Sequence, residues 1–259
     1  MALVDSHCHL ELIDEREPGG AAAAVAEARE EGVASIINIG LGPDNAAVLS
    51  RARSLPGVYA TVGWHPHEAR SPGDADLDQM RALAGSPEVV AVGEIGLDYY
   101  WRPGYHEVPA EVQKESFRLM LRLASELDLP VVVHDREAHA DCLELIREVP
   151  GTRGVMHAFS GDEAFAQACV AAGMRLSIAG PVTYPSAAGL RAAVAAAPVE
   201  ALLVETDAPF LPPQSHRGKP NRPALVRETA RRVAEVKGLS ESEFAARCTA
   251  TAREVFRLA

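Results

Sequence analysis

Short apolar runs alternate with longer amphipathic stretches along the whole chain. The runs are Ala2–Asp5, Ala34–Ile39, Val58–Val62, Val89–Val92, Pro130–Val133, Gly154–Met156, Arg175–Ile178 and Ala201–Val204. Runs of this length and apolarity are typical of parallel strands that are buried on both faces. Ala, Leu, Glu and Arg recur at helical spacing between them. The predicted helices are Gly20–Glu31, Pro43–Ser54, Ala75–Leu83, Glu111–Leu127, His139–Glu148, Asp162–Ala172, Ser186–Ala196 and Arg222–Val236.

Eight strand–helix repeats within 259 residues predict an α/β fold, a (β/α)8 TIM barrel. This barrel typically takes about 250 residues, and an open doubly wound sheet fits the eight repeats less well. Ser240–Leu258 predicts an additional C-terminal helix, because Ser240 and Glu243 have the spacing of an N-terminal capping box. No linker or low-complexity tract divides the sequence, so we expect residues 1–259 to form one domain.

The composition narrows the class of protein and its compartment. Apolar residues make up 47% of the chain and charged residues 24%, which excludes disordered and collagen-like chains. No uncharged apolar stretch approaches eighteen residues, and the first residues lack the pattern of a signal peptide, so neither membrane insertion nor export is expected. Four widely spaced cysteines without a CxxC pair favour free thiols in a reducing, cytoplasmic compartment.

The charge of the chain is acidic and unevenly distributed. The net charge is −11, and residues 1–100 carry 16 acidic and 6 basic residues. Such acidity argues against wrapping of nucleic acid by the whole surface, although it leaves room for a local phosphate site. The segment Ser215–Arg232 has the opposite balance, with six basic residues and one acidic residue.

Polar residues follow the predicted strands at the end where TIM barrels build their active sites. His7 and His9 come after the first strand, and their spacing of two directs both side chains to the same side. The later members of this set are Glu94, His134, His157, Glu205 and Asp207. Neutral imidazoles and carboxylates together suit two divalent cations with a carboxylate between them, a centre that lowers the pKa of bound water for hydrolysis.

Seven sequence blocks in a fixed order resemble the TatD-type metal-dependent deoxyribonucleases, a branch of the amidohydrolase superfamily. They are Asp5-Ser6-His7-Cys8-His9, Gly63-Trp64-His65-Pro66-His67, Gly93-Glu94-Ile95-Gly96-Leu97-Asp98-Tyr99, Val133-His134-Asp135-Arg136-Glu137-Ala138, His157-Ala158-Phe159-Ser160-Gly161, Glu205-Thr206-Asp207-Ala208-Pro209-Phe210 and Arg217-Gly218-Lys219-Pro220-Asn221. The HxH pair alone occurs in many amidohydrolases. The seven blocks together are far more specific, and they cover essentially the whole chain.

The resemblance implies a ligand set for two cations. One cation would be held by His7, His9, Glu94 and Asp207, and the other by Glu94, His134 and His157, so that Glu94 bridges them. Many amidohydrolases bridge with a carboxylated lysine, and a glutamate at strand four favours the TatD branch. The ligands leave the identity of the cations open between Mg²⁺, Mn²⁺ and Zn²⁺.

Two positions depart from the pattern of the family. The chain has Thr251-Ala252 where relatives commonly have Asn-Ala, a change that we expect to affect packing. The loop Trp101–Pro109 is rich in Pro and Gly, and we expect it to influence substrate choice because it follows the bridging Glu94.

Three carboxylates are predicted to take part in catalysis. Asp207 stands at a strand end and is expected to act as the general base toward the attacking water. Glu94 contributes as the bridge. Glu205 faces the same way as Asp207 on an extended strand, and two roles stay open for it: orienting water or the basic loop, or hydrogen bonding to a ligand.

Two groups of residues are predicted to contact substrate. His65 and His67 share a face after strand three, and the resemblance favours His65 as a hydrogen-bond donor to phosphate. Arg217, Lys219 and Asn221 belong to the loop after strand eight, where barrel enzymes often bind phosphate, and Asn221 could also cap the helix that follows. Tyr99, Tyr100 and Trp101 either stack on an exposed base or pack as a lid.

These residues predict a phosphodiesterase, and the resemblance implies a 3′-5′ exonuclease that acts on ends of single-stranded DNA, with RNA left open. No membrane and no obligate protein partner are expected. An alternative keeps the cations but cleaves an ester or amide, for example as a D-aminoacyl-tRNA deacylase. The third alternative is a non-catalytic module that binds metal or nucleic acid.

Overall fold

Eight parallel strands form one sheet in chain order in the computed structural model, which describes residues 2–14, 19–68, 70–102 and 104–258. The strands are β1 Leu3–Cys8, β2 Val33–Asn38, β3 Val58–Val62, β4 Val89–Asp98, β5 Val131–Arg136, β6 Gly154–Met156, β7 Met174–Ile178 and β8 Leu202–Val204. All eight predicted strands are present, and the predicted TIM barrel is confirmed.

The barrel closes where the end of β1 meets the segment after β8. Cys8 and Ala208 form a parallel bridge. His9 N–H donates to Ala208 O at 2.8 Å, and Asp207 N–H donates to His7 O at 2.9 Å. These bonds hold residues from the two ends of the sheet side by side at the carboxyl end of the barrel.

Helices follow the strands around the barrel. They are α1 Leu10–Asp14, α2 Gly20–Glu30, α3 Asn45–Ser54, α4 Asp74–Ala84, α5 Ala110–Glu126, α6 His139–Glu148, α7 Glu163–Ala171, α8 Ala188–Ala196, α9 Val226–Lys237 and α10 Glu241–Phe256. α1 was not predicted, because five residues are too few to show helical periodicity. α9 begins four residues later than predicted, because the turn Pro223–Leu225 is a 3-10 helix.

Three strands continue beyond their predicted ends into polar sequence. β1 extends through Cys8, β4 through Asp98 and β5 through Arg136. The expectation that β4 ends at Val92 was therefore wrong. The apolar run of each strand ends before its backbone pairing does. β4 and β5, for example, are still paired at Asp98 and Arg136. Polar side chains can occupy these final positions because they face one another across the mouth of the barrel.

The core explains why these segments fold as they do. In α5, Phe117, Met120, Leu121 and Ala124 recur every three or four residues, and all are buried. α10 packs Ala252 and Phe256 against residues from six strands, Val4, Ile37, Val90, Val132, Val155 and Leu203. These contacts place α10 across the amino end of the barrel, opposite the polar mouth.

The additional C-terminal helix is confirmed, and it carries the predicted capping box. Ser240 Oγ accepts from Glu243 N–H, and a Glu243 carboxylate oxygen accepts from Ser240 N–H. Thr251 donates to Glu200 O at 3.3 Å and so joins α10 to the turn before β8, which agrees with a packing role for this position. Within the part of the chain that the structure describes, no helix combines the length and apolarity of a membrane span.

Candidate metal centre

Four predicted ligands meet where the barrel closes. His7 Nε2 and His9 Nε2 lie 3.2 Å apart. Glu94 Oε2 is 3.3 Å from His7 Nε2 and 3.8 Å from His9 Nε2. Asp207 Oδ1 is 3.3 Å from His9 Nε2 and 3.7 Å from His7 Nε2. The side chains therefore direct two imidazole nitrogens and two carboxylate oxygens at one point.

The other oxygen of Glu94 faces a second group of imidazoles. Glu94 Oε1 is 2.7 Å from His134 Nδ1 and 3.6 Å from His157 Nε2. His65 Nε2 also lies 3.6 Å from this oxygen. The two oxygens of one buried carboxylate thus divide the predicted ligands into two sets, as a bridging role requires.

The donor spacing fits divalent cations. A tetrahedral site with bonds of about 2.0–2.1 Å has ligand atoms about 3.3 Å apart. The distances within the first group run from 3.2 to 3.8 Å, and they need little adjustment to match such a site. His7, His9 and Glu94 form one compact group, and His65, Glu94 and His134 form another.

The electrostatics of the centre also favour bound positive charge. Burial lowers the pKa of His7 to about 3, so its nitrogen is available as a neutral donor. Burial also disfavours the charged forms of His134 and His157, but neighbouring carboxylates outweigh it. Asp98 and Glu94 raise the pKa of His134 to about 9, and Glu205 and Glu94 raise the pKa of His157 to about 10.

His134 and His157, of the second group, each have a buried carboxylate behind them. Glu205 Oε1 is 2.8 Å from His157 Nδ1 and accepts from Ala158 N–H at 2.9 Å. Asp98 Oδ2 is 3.1 Å from His134 Nε2. Carboxylates in this arrangement orient a ligating imidazole and select its tautomer. Of the two roles left open for Glu205, its contacts and its complete burial favour bonding to a ligand.

Sequence reasoning missed Asp98, although a signal for it was present. Asp98 is four residues after Glu94 in the same strand. With a side-chain period of two, that spacing directs both carboxylates to one face of an extended strand. The predicted strand ended at Val92, so the period was not followed to Asp98.

The segment that carries Asp207 is held from two sides. Thr206 donates to the buried Asp5 carboxylate through its N–H at 2.8 Å and its hydroxyl at 2.6 Å. Asn221 Nδ2 donates to Thr206 O at 2.7 Å, and Asn221 Oδ1 accepts from Arg222 N–H. Asn221, predicted to contact substrate, is buried and uses both side-chain polar atoms on backbone groups. Its hydrogen bonds therefore hold the segment that carries Asp207 in place.

The other predicted substrate residues differ in their positions. His65 belongs to the centre itself, whereas His67 Nε2 contacts Asp98 Oδ2 at 2.8 Å. Arg217 and Lys219 are exposed on the long loop between β8 and α9, and the Arg217 guanidinium lies 5.0 Å from the Tyr184 ring centroid. Most later arginines of the basic segment pair with nearby glutamates, such as Arg227 with Glu31 at 2.6 Å.

The aromatic residues after β4 separate into packed and exposed members. The Tyr99 hydroxyl donates to Asp141 at 2.8 Å, and its ring packs on the core. Tyr100 supports the Arg136 guanidinium at 3.8 Å. Trp101 is 72% exposed. Pro103, within the loop Trp101–Pro109, lies outside the described residues. Phe210, 40% exposed, stands edge-on to His9 with ring centroids 6.0 Å apart.

A close backbone approach positions Glu94. A Cβ on Gly63, just after β3, would lie 2.3 Å from the carbonyl carbon of Gly93 and 2.6 Å from Glu94 N. Asn45, from α3, fixes Gly63 by accepting its N–H at 3.0 Å and donating to its carbonyl at 3.1 Å. Only glycine leaves the strand space to pass directly behind the bridging carboxylate.

Comparison with known proteins assigns the centre to a family. The family model for TatD related DNase matches residues 4–257. The chain belongs to the TatD family. It is 34% identical to a metal-dependent hydrolase of Bacillus subtilis, YabD, over 99% of both chains. It is 39% identical to the 3'-5' ssDNA/RNA exonuclease TatD of Cronobacter turicensis over 82% of both chains.

A solved structure agrees with the fold of this TatD-family hydrolase. The TatD homologue YjjV of Escherichia coli K12 superposes with a TM-score of 0.89 at 31% identity and covers 99% of this chain and 98% of its own. The family and the fold together show a metal-dependent hydrolase. The predicted resemblance and the predicted enzyme class are therefore confirmed.

Proposed function

We propose that this TatD-family hydrolase is a 3′-5′ exonuclease for single-stranded DNA, and also for RNA, and that it uses two divalent cations (Mg²⁺, Mn²⁺ or Zn²⁺). The observation that carries the proposal is the division of the two Glu94 oxygens between two groups of imidazoles. The printed name of the Cronobacter relative supports the substrate class and the polarity.

The proposed ligands are His7, His9, Glu94 and Asp207 for one cation and Glu94, His134 and His157 for the other. When bound, divalent cations supply Lewis acidity at the phosphoryl group and neutralise its charge. The protein contributes fixed donors, since Glu205 and Asp98 hold the rings of His157 and His134. A site that is already oriented requires little rearrangement on loading.

Asp207 is the proposed general base. Its side chain is 11% exposed, against 3% for Glu94 and 0% for Glu205. Among these three carboxylates, Asp207 is the one that water reaches most readily. A carboxylate at hydrogen-bonding distance from the attacking water can accept its proton as the bond to phosphorus forms.

His65 is the proposed hydrogen-bond donor to the phosphate of the substrate. His65 Nδ1 accepts the backbone N–H of His67 at 3.1 Å, so a neutral ring carries its hydrogen on Nε2. Burial lowers the pKa of His65 to about 4, which keeps the ring neutral at pH 7. The Nε2–H group faces the centre and can donate to a non-bridging phosphate oxygen. Arg217 and Lys219, both exposed, would bind the phosphates of the adjoining strand.

The test compares nucleotide release from 3′-labelled single-stranded DNA and RNA, after the protein is stripped with chelator and reloaded with Mg²⁺, Mn²⁺ or Zn²⁺. Glu94→Gln and Asp207→Asn should each lower kcat/KM by about 10²–10⁴-fold. Glu137→Gln, an exposed carboxylate after β5, is the matched control and should retain activity. Cleavage that survives both site substitutions would contradict the assignment.

The same preparation distinguishes the alternatives. Intact DNA together with hydrolysis of D-aminoacyl-tRNA, or of another ester or amide, would replace the exonuclease by that activity. Tight DNA binding without hydrolysis in the presence of each of the three cations would indicate a non-catalytic binding module. Release of labelled nucleotide from a strand that is 5′-labelled and blocked at its 3′ end would show cleavage from the 5′ end, opposite to the proposed polarity.

A further inference from the structure

Asp98, the last residue of β4, collects four hydrogen-bond donors around one buried carboxylate. Oδ2 receives His67 Nε2 at 2.8 Å, His134 Nε2 at 3.1 Å and the Tyr105 hydroxyl at 3.1 Å. Oδ1 receives Tyr100 N–H at 3.0 Å. The residue is 0% exposed, so water does not compete for these bonds.

Both Asp98 oxygens accept hydrogen bonds, Oδ1 from Tyr100 N–H and Oδ2 from the Tyr105 hydroxyl. An acceptor 3.1 Å from His134 Nε2 decides the tautomer of that ring. The hydrogen of a neutral His134 must be on Nε2, toward Asp98. The lone pair of Nδ1 then faces Glu94 Oε1, only 2.7 Å away. Two acceptors at this distance need a proton or a cation between them. The tautomer therefore presents Nδ1 as a ligand to the second of the two proposed cations.

The strand register explains how Asp98 reaches His134. Gly96 is the partner of His134 in the ladder, and Asp98 is the partner of Arg136. A Cβ on Gly96 would lie 2.1 Å from the His134 carbonyl oxygen, so the strands can approach only with glycine there. Glu94 and Asp98 consequently stand on either side of the His134 ring and contact its two nitrogens separately.

Asp98 also connects His134 to the loop after β4. The Tyr105 hydroxyl donates to Asp98 and accepts from Arg136 Nη1 at 2.8 Å. The Arg136 guanidinium lies over the Tyr100 ring at 3.8 Å. Tyr100 comes from the start of this loop and Tyr105 from its middle, and both are joined to the same carboxylate.

We propose that Asp98 is a positioning residue that fixes His134 with Nδ1 toward the second cation and anchors the loop after β4 beside it. This rests on the proposed two-cation centre. Carboxylate oxygens of Asp98 and Glu205 lie 3.1 and 2.8 Å from ring nitrogens of His134 and His157, whereas His7 Nδ1 and His9 Nδ1 have no hydrogen-bond partner among the described residues. A carboxylate support of this kind is therefore found at the ligands of the second proposed cation.

The test is calorimetric titration of chelator-treated protein with Mn²⁺, without nucleic acid. Asp98→Asn should weaken one of the two Mn²⁺ sites by about 10–100-fold and leave the other unchanged. Asp135→Asn is the matched control, because Asp135 is also buried and pairs with a histidine, His139 Nδ1 at 2.8 Å. Among the described residues, Asp135 makes no contact with the centre, although the residue before it, His134, belongs to the centre. Asp135→Asn should therefore leave the affinities of both Mn²⁺ sites unchanged.

Three outcomes would overturn the proposal: unchanged affinities in Asp98→Asn, an equal loss at both sites, or a third Mn²⁺ that disappears in His106→Gln. The last would make Asp98 a cation ligand, because His106 Nε2 lies 3.9 Å from Asp98 Oδ1.

A second measurement needs no substitution of Asp98. Long-range ¹H–¹⁵N NMR spectra of the Zn²⁺-loaded wild type, with the His134 signals assigned through His134→Gln, should report the hydrogen on Nε2. A hydrogen on Nδ1 would refute the proposal even if Asp98→Asn fails to fold. Both measurements omit DNA, so a failure of the exonuclease assay would leave their outcome intact.

Discussion

At the scale of single residues, contacts separate side chains that the sequence treats as equivalent. Tyr99, Tyr100 and Trp101 are consecutive aromatics, and the sequence left stacking and packing equally open for all three. The structure gives Tyr99 a hydrogen bond to Asp141 and a place on the core. Trp101 remains 72% exposed at the mouth of the barrel. Of these three residues, Trp101 is the most exposed, and we expect it to be the one that stacks on a base.

We expect Trp101→Ala to raise KM for single-stranded DNA by roughly 5- to 150-fold, because stacking on one base contributes about 1–3 kcal/mol. Tyr99→Phe should leave KM unchanged and lower the free energy of unfolding by about 1 kcal/mol, since it removes one hydrogen bond. Steady-state kinetics and urea unfolding measure the two effects. The opposite pattern would make Tyr99 the stacking residue and Trp101 a packing residue.

Substitution by alanine at two different glycines should change the free energy of unfolding in opposite directions. Gly63→Ala should lower the free energy of unfolding by about 1–3 kcal/mol, because its Cβ would overlap the backbone that carries Glu94. Gly189→Ala should raise it by about 0.4–1 kcal/mol, because Gly189 is exposed in α8 with open space around its Cβ. Urea unfolding checks both signs, and a neutral Gly63→Ala would show that β3 and β4 can separate.

At the scale of elements, the sequence predicted which segments form strands and helices but not where the polar strands end. β3 and β6 match their predicted bounds because turn residues follow their apolar runs directly. β4 exceeds its prediction by six residues, since its last part is stabilised by pairing with β5 rather than by its own apolarity. The histidines and carboxylates that meet in the candidate metal centre could be predicted from residue type and spacing. The Asp98–His134 contact could not, because it depends on the register between two strands.

The helix that covers the amino end of the barrel gives an element-scale prediction. Ser240→Ala should lower the free energy of unfolding by about 1 kcal/mol, because it removes the cap of α10. Ser242→Ala, in the first turn of the same helix, is the control and should change it by less than about 0.5 kcal/mol. Cation affinities should be equal in both variants, since α10 lies opposite the metal centre. A loss of affinity in Ser240→Ala would show that the two ends of the barrel are coupled.

At the scale of the whole molecule, charge restricts how nucleic acid can bind. The net charge is −11, and several arginines of the basic segment are paired, for example Arg222 with Glu27 at 3.0 Å and Arg232 with Glu235 at 2.7 Å. Arg217 and Lys219 are exposed on the loop after β8, and they are the proposed phosphate contacts. A strand end held at a small positive site fits this surface better than a long duplex does.

Salt dependence tests this mode of binding. Two phosphate contacts on single-stranded DNA predict a slope of about −1.4 for log(kcat/KM) against log[KCl] at constant cation concentration. Arg217→Ala should reduce the slope by about 0.7, while Arg227→Ala, whose guanidinium pairs with Glu31, should leave it unchanged. A wild-type slope steeper than about −4 would indicate an extended track of phosphates across the surface.

The closure of the barrel has a consequence for protein synthesis. Cys8 and Ala208, which form the closing bridge, are 200 residues apart, and the residues beside them are proposed to hold the same cation. A ribosome has produced His7, His9, Glu94, His134 and His157 well before Asp207 emerges. The proposed centre is therefore completed only when the segment after β8, the last strand, has been translated. A nascent chain released early would carry most of the proposed ligands but neither the closed barrel nor the proposed base, and so would lack the proposed nuclease activity.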